Sequence, residues 1–272
     1  MRRRAGARLG AIAAGVLALA AAVAFPALAT PPEQSSALWH VVHDLCVNDL
    51  KVSGLPAPCV KVDLAHRYAV LKDLRGATQL LLIPTDRIGG IESPRLLKPG
   101  SPNYWQDAWA ARGLFEKNAG RPVPREDLGL AINSMFGRTQ NQLHIHIDCL
   151  KPKVRDALAA GQDRIGAAWR PFAPAFYGHA YRARRLMGAE LGTRDPFRLL
   201  ARDPKARAAM PRETLVVAGM VFKGGEPGFV LLADRADLTH GDQGAGEELL
   251  DHGCAALAPA EGTRDGARPP AR

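Results

Sequence analysis

Apolar residues recur along this chain at two spacings, one helical and one alternating, and the change from one to the other marks out its elements. Trp39, Val42, Leu45 and Cys46 fall at helical spacing and predict a short helix over residues 37–49. Residues 68–72 and 79–84 read as strands joined by a turn at Asp73-Leu74-Arg75-Gly76. Residues 85–102 are broken by prolines and glycines and read as an ordered loop. Asn103 is placed to cap a helix over residues 104–118, with Gly120 just past its end. Its apolar face, Trp105, Ala108, Trp109 and Phe115, reads as core rather than as a ligand-stacking box. Strands are predicted over 127–133 and 143–150, and a helix over 154–165. A hairpin is expected from 214–222 and 229–233 around Lys223-Gly224-Gly225-Glu226-Pro227-Gly228. Residues 169–207 are basic and show no clean period. This order of elements predicts an α+β fold with a largely antiparallel sheet and flanking helices.

The first 29 residues stand apart. Arg2, Arg3, Arg4 and Arg8 precede an uncharged run from Leu9 to Leu28 that ends in Ala27-Leu28-Ala29. That is the pattern of a secretory signal, yet the run is also near the length that spans a bilayer as a helix. Cleaved signal and retained anchor both fit, and both place the remainder across the membrane from the arginines. Residues 30–36 read as a linker, 37–257 as the folded domain, and 258–272, rich in Gly, Pro, Arg and Ala, as a disordered tail. Without the four leader arginines the formal charge of +9 falls to +5. That excess suits an anionic substrate or lipid surface. No basic stripe with interleaved aromatics argues for nucleic acid. Cys46, Cys59, Cys149 and Cys254 all lie in the exported part, where an even count permits two disulfides in three connectivities. A local Cys46–Cys59 pair would leave Cys149 with Cys254; four buried thiols are the alternative.

The chemistry concentrates in Gln142-Leu143-His144-Ile145-His146-Ile147-Asp148-Cys149. Alternation sends Leu143, Ile145, Ile147 and Cys149 to one face and Gln142, His144, His146 and Asp148 to the other. Two imidazoles on one strand face admit three readings: a solvated edge, a metal site joined by Asp148, or covalent catalysis on phosphorus. The preceding segment favours the last. Asn133, Gly137, Arg138, Thr139, Gln140 and Asn141 could turn amides, a hydroxyl and a guanidinium towards phosphate oxygens. Lys72, at a strand end, is a further candidate.

These residues carry a resemblance. Leu130-Ala131-Ile132-Asn133-Ser134 and Gly137-Arg138-Thr139-Gln140-Asn141-Gln142-Leu143-His144-Ile145-His146 are similar to the CDP-diacylglycerol diphosphatases, a membrane-associated branch of the histidine-triad superfamily. The likeness extends through Leu38-Trp39-His40, Tyr68-Ala69-Val70-Leu71-Lys72-Asp73, Gly90-Ile91-Glu92-Ser93-Pro94 and Asp251-His252-Gly253-Cys254. It implies a histidine-triad-like domain and CDP-diacylglycerol as substrate. His144 would be the nucleophile and His146 its supporting donor, with Asn133, Arg138, Thr139, Gln142 and Lys72 on the substrate and no cofactor. Gln142 stands where the family pattern has its first histidine. A register with His146 in the middle and Asp148 third is the alternative. With the leader, the resemblance implies a bacterial inner-membrane enzyme with its domain on the periplasmic side, or a soluble periplasmic one if the leader is cleaved. The competing class is an exported metal-binding protein or a non-catalytic binder of nucleotides or lipid head groups.

Overall fold

The computed structural model describes residues 35–254. The expected leader (1–29), tail (258–272) and most of the linker lie outside the described residues. Among the described residues, no helix is long and apolar enough to cross a membrane.

Ten strands form one antiparallel sheet: β1 (Lys61–Asp63), β2 (Tyr68–Lys72), β3 (Leu80–Pro84), β4 (Leu128–Ile132), β5 (Ile145–Leu150), β6 (Arg170–Pro171), β7 (Arg182–Met187), β8 (Glu213–Val221), β9 (Pro227–Arg235) and β10 (Leu250–Asp251). Their order is β1-β2-β3-β5-β4-β8-β9-β7-β6, with β10 added to the end of β5. The fold is therefore α+β with a large antiparallel sheet, as the element order predicts. β5 lies between β3 and β4, and its residues are buried on both faces.

Register explains what each face does. Ile145 and Ile147 pair with Leu82 and Leu80 on one side, and Ile147 with Leu130 on the other. All belong to the main core, which Tyr104–Ala110, Arg112–Ala119 and Pro196–Ala201 cover with Trp105, Trp109, Phe115 and Phe197. Both tryptophans are core residues: Trp105 packs on Phe197 and Trp109 edge-on against Phe229. The expected single helix over 104–118 is interrupted at Ala111. There the Trp109 carbonyl accepts from Arg112 Nη1 at 3.1 Å, which competes with continuation of the helical ladder.

On the opposite face His146 pairs with Leu81 on β3 and Ala131 on β4. Leu81 belongs to a small core beneath the first helix, built from Ala37–His40, a π-helical Val41–Val47 and Asn48–Ser53. Ala131 belongs to another core beneath Pro152–Gly161. His146 thus sits in the gap between two covered patches. Disulfides join Cys46 to Cys59 and Cys149 to Cys254, the local pairing and the long one.

The basic region read as irregular contains β7. Its arginines cover apolar surface: Arg182 pairs with buried Glu213, Arg184 lies over the Trp169 ring, and Arg185 over the Phe222 ring. Two glycines make the packing testable. A Cβ at Gly219 would lie 2.1 Å from the Arg125 carbonyl oxygen, whereas one at Gly113 meets nothing within 4 Å. Gly219→Ala should cost about 1–3 kcal/mol. Gly113→Ala, in a helix, should gain up to about 1 kcal/mol. Denaturant midpoints of the two variants measure both, and equal midpoints would contradict this packing.

Candidate active site

His144 precedes β5 by one residue, and its ring is 8% exposed. Nδ1 lies 2.7 Å from the backbone carbonyl of Gln142. A carbonyl only accepts, so the proton is on Nδ1 and the neutral ring keeps its lone pair on Nε2. Burial pushes the imidazole below the ordinary histidine range, more than the Gln142 carbonyl and Glu247 raise it. The neutral form is therefore favoured. His146 stands edge-on to it, with ring centroids 4.9 Å apart.

The tautomer of His146 is the reverse. Gln79 Nε2 lies 2.9 Å from His146 Nδ1 and 2.5 Å from Asp73 Oδ2. Turning that amide over would set its oxygen against the Asp73 carboxylate, so the nitrogen stays and Nδ1 of His146 accepts. Its proton is then on Nε2, a buried donor with no hydrogen-bond partner. Glu247 Oε2 lies 3.5 Å away. Burial pushes His146 down to about 4.

Both rings line a cavity of about 480 Å3, together with Lys72, Asp73, Asn133, Thr139, Gln140 and Glu247. An apolar wall of Leu38, Val41, Pro58, Leu71, Leu74 and Leu81 lines the same space. Hollows of about 320 and 520 Å3 elsewhere on the surface contain neither imidazole. The 139–141 segment is fixed to the start of the first helix: Ser35 N donates to the Thr139 carbonyl, and Leu38 N donates to Gln140 Oε1.

The other expected site residues separate. Thr139 and Lys72 reach the cavity, although the Lys72 ammonium also donates to the carbonyls of Asp73 and Gly76. The Asn133 side chain reaches it too but is engaged by Glu247, accepting from its backbone N–H and donating to its carboxylate. Arg138 is not in the lining. Its guanidinium makes a two-pronged pair with Glu92, at 2.6 and 2.7 Å, pressed against Gly90 so closely that a Cβ there would collide with it. Gln142 is turned away as well, because regular alternation begins only at Ile145. Its amide donates to the carbonyls of Pro84 and Asp86 and accepts from Ile88 N–H. What Gln142 gives the site is its backbone oxygen.

Two residues were missed by the sequence reading. Glu247 is one, and His252, which was given no role there, is the other. His252 Nδ1 is 2.8 Å from Asp148, and its Nε2 is 3.2 Å from Glu247. The Asp251-His252-Gly253-Cys254 motif was the available signal. Asp148 thus meets His252 and Thr78, not the strand imidazoles. Among the described residues, the metal-type ligand atoms that converge are those of Asp148, Cys149 and Cys254, whose sulfurs are joined in a disulfide. His144, His146 and Asp148 do not form a converging set.

The arrangement offers a lone-pair nitrogen, a buried N–H donor and a carboxylate facing one cavity with an apolar side. Comparison with known proteins agrees with that chemistry. A protein of Yersinia pestis named CDP-diacylglycerol pyrophosphatase is 44% identical over 224 residues, which is 82% of this chain and 85% of the relative. The family model described as CDP-diacylglycerol pyrophosphatase matches residues 33–258. The chain belongs to the CDP-diacylglycerol pyrophosphatase family of enzymes.

Proposed function

We propose that this enzyme hydrolyses the pyrophosphate bond of CDP-diacylglycerol to CMP and phosphatidate through a cytidylyl-histidine on His144. One observation carries the reading: the Gln142 carbonyl holds the Nδ1 proton of His144, leaving Nε2 as the nucleophilic atom. Nε2 attacks the phosphorus on the cytidine side, and the bridging P–O bond breaks with its electron pair on phosphatidate. Water then displaces the histidine to give CMP. Dividing the hydrolysis into two displacements is the gain of covalent catalysis. The Nε2–H of His146 donates to a phosphate oxygen, which supplies the partner this buried group lacks. Thr139 and Lys72 hold further oxygens. Arg138, paired with Glu92, acts by fixing the loop that carries Thr139. This is histidine-triad chemistry with Gln142 in the first histidine's place.

The apolar wall suits the glycerol and first methylenes of the lipid. The described chain starts at Ser35, bonded beside Thr139 at the cavity's edge. An anchor in residues 1–29 would keep the enzyme at the inner membrane, with the domain on the periplasmic side. The substrate would then arrive by lateral diffusion.

Three outcomes test this. CDP-diacylglycerol labelled on the cytidine phosphate and quenched in alkali during the first turnover should leave label on His144. His144→Ala should lose both label and turnover by about a thousandfold or more. Turnover in the native enzyme with no label at any time would overturn the reading. Next, the nucleophile must be neutral and its pKa is shifted downward by burial, so the neutral form persists below the ordinary value of about 6.5. The pH profile of kcat/KM should stay level through that pH and fall only below it; a fall centred at or above it contradicts the assignment. Last, Leu74, fully exposed at the lining, should meet the lipid. Leu74→Glu should lower kcat/KM for a long-chain substrate relative to a water-soluble short-chain one by about tenfold, since burying one leucine is worth about 1.5–3 kcal/mol. An unchanged ratio places the acyl chains elsewhere.

A further inference from the structure

The chain's last described segment completes the site in a way the central strand does not foreshadow. β10 pairs with the end of β5, and the Cys149–Cys254 disulfide ties the residues just beyond it to the same strand. His252 lies between these two attachments, its backbone packed against Gly76 and its carbonyl accepting from Ala77 N–H. Each ring nitrogen meets a carboxylate, Nδ1 at Asp148 and Nε2 at Glu247. Asp148 is itself fixed by Thr78 Oγ1 and Cys149 N–H. The Glu247 carboxylate is thus held by His252 on Oε1 and by the Asn133 amide on Oε2, while lining the cavity beside both strand histidines.

We propose that Glu247 is the general base of the second displacement, and that His252, held by Asp148, is the positioning residue that fixes it there. The inference rests on the covalent reading above. Nothing in the first displacement needs a base, because His144 attacks with an existing lone pair. The second does. Water gives a proton to Glu247 as its oxygen bonds the phosphorus; the P–N bond breaks, and its electron pair returns to Nε2 of His144. CMP leaves, and Glu247 passes its proton to solvent through the open cavity.

The surroundings favour a carboxylate here. Burial alone would raise its pKa, but His146, the Asn133 amide, His252 and His144 together hold Glu247 below the ordinary range. Lys72, Asp73 and Arg75 of the β2–β3 turn line the same cavity.

Rapid-quench measurement of the labelled adduct separates the two displacements. In Glu247→Gln, which keeps the shape and one acceptor oxygen, the adduct should form within about tenfold of the native rate. It should decay about a hundredfold or more slowly, so that nearly every molecule carries label. Decay at the native rate, or formation slowed as much as decay, overturns the assignment. If no adduct appears in the native enzyme while turnover continues, it is the covalent reading that fails. Should Glu247→Gln not fold, Glu247→Ala with added formate replaces it: restored decay supports the base, and a folded variant that formate does not rescue refutes it. His252→Ala removes a group that favours the carboxylate. The acid limb of its decay rate should move to higher pH, and His252→Gln should recover part of the native rate at neutral pH. A lower melting temperature with the limb unmoved would make His252 structural only.

Discussion

A carbonyl oxygen has lone pairs to offer and no proton, so any imidazole nitrogen it touches at 2.7 Å must bring the hydrogen. That constraint, set by the Gln142 backbone, decides the tautomer of His144 and so which of its nitrogens can react. The contact spans two residues and depends on the backbone just before β5. That backbone is fixed by the Gln142 side chain, whose amide is held by Pro84, Asp86 and Ile88. The side chain therefore positions an imidazole it never faces. The two imidazoles are held in opposite tautomers by partners of opposite character, a carbonyl for one and an amide N–H for the other.

Burial supplies the second half of the design. The sheet face carrying the histidines is covered on one side by the first helix and on the other by Pro152–Gly161. Both imidazoles thereby lose water and favour the neutral form. The same burial would neutralise Glu247 as well, were it not for the donors gathered around it. One environment thus maintains neutral bases and an anion within a few ångströms, because the groups around Glu247 favour its charged form while burial dominates at the two imidazoles.

Much of this was legible in the sequence. Alternation from 143 to 150 located β5 and separated core from chemistry, and the Trp105/Trp109 spacing located the helix that covers the core. What was illegible depends on partners distant in the chain. Arg138 looked like an anion clamp because Glu92, 46 positions earlier, gives no local sign of pairing with it. Glu247 is an ordinary acid in sequence until Asn133, 114 positions away, binds it at both ends. β7 escaped detection for a different reason. Its arginines break the apolar pattern, yet stacking on Trp169 and Phe222 and pairing with Glu213 let them serve as sheet residues. Gln142 was misdirected by assuming that alternation starts before the strand does.

The pairing of Arg138 also changes how anion recognition must work. A guanidinium already matched to a carboxylate adds little net charge, and the Lys72 ammonium is shared with two carbonyls of its own turn. What the cavity retains is a neutral N–H donor on His146 with no hydrogen-bond partner. Leaving such a group buried and unmatched costs about 1–3 kcal/mol. On the proposed reading, an oxygen of the reacting phosphate satisfies it, and does so best as charge builds on that oxygen. A fixed dipole in a dry site can then favour the transition state over the bound substrate. A mobile surface cation, attracted equally to both, could not discriminate between them.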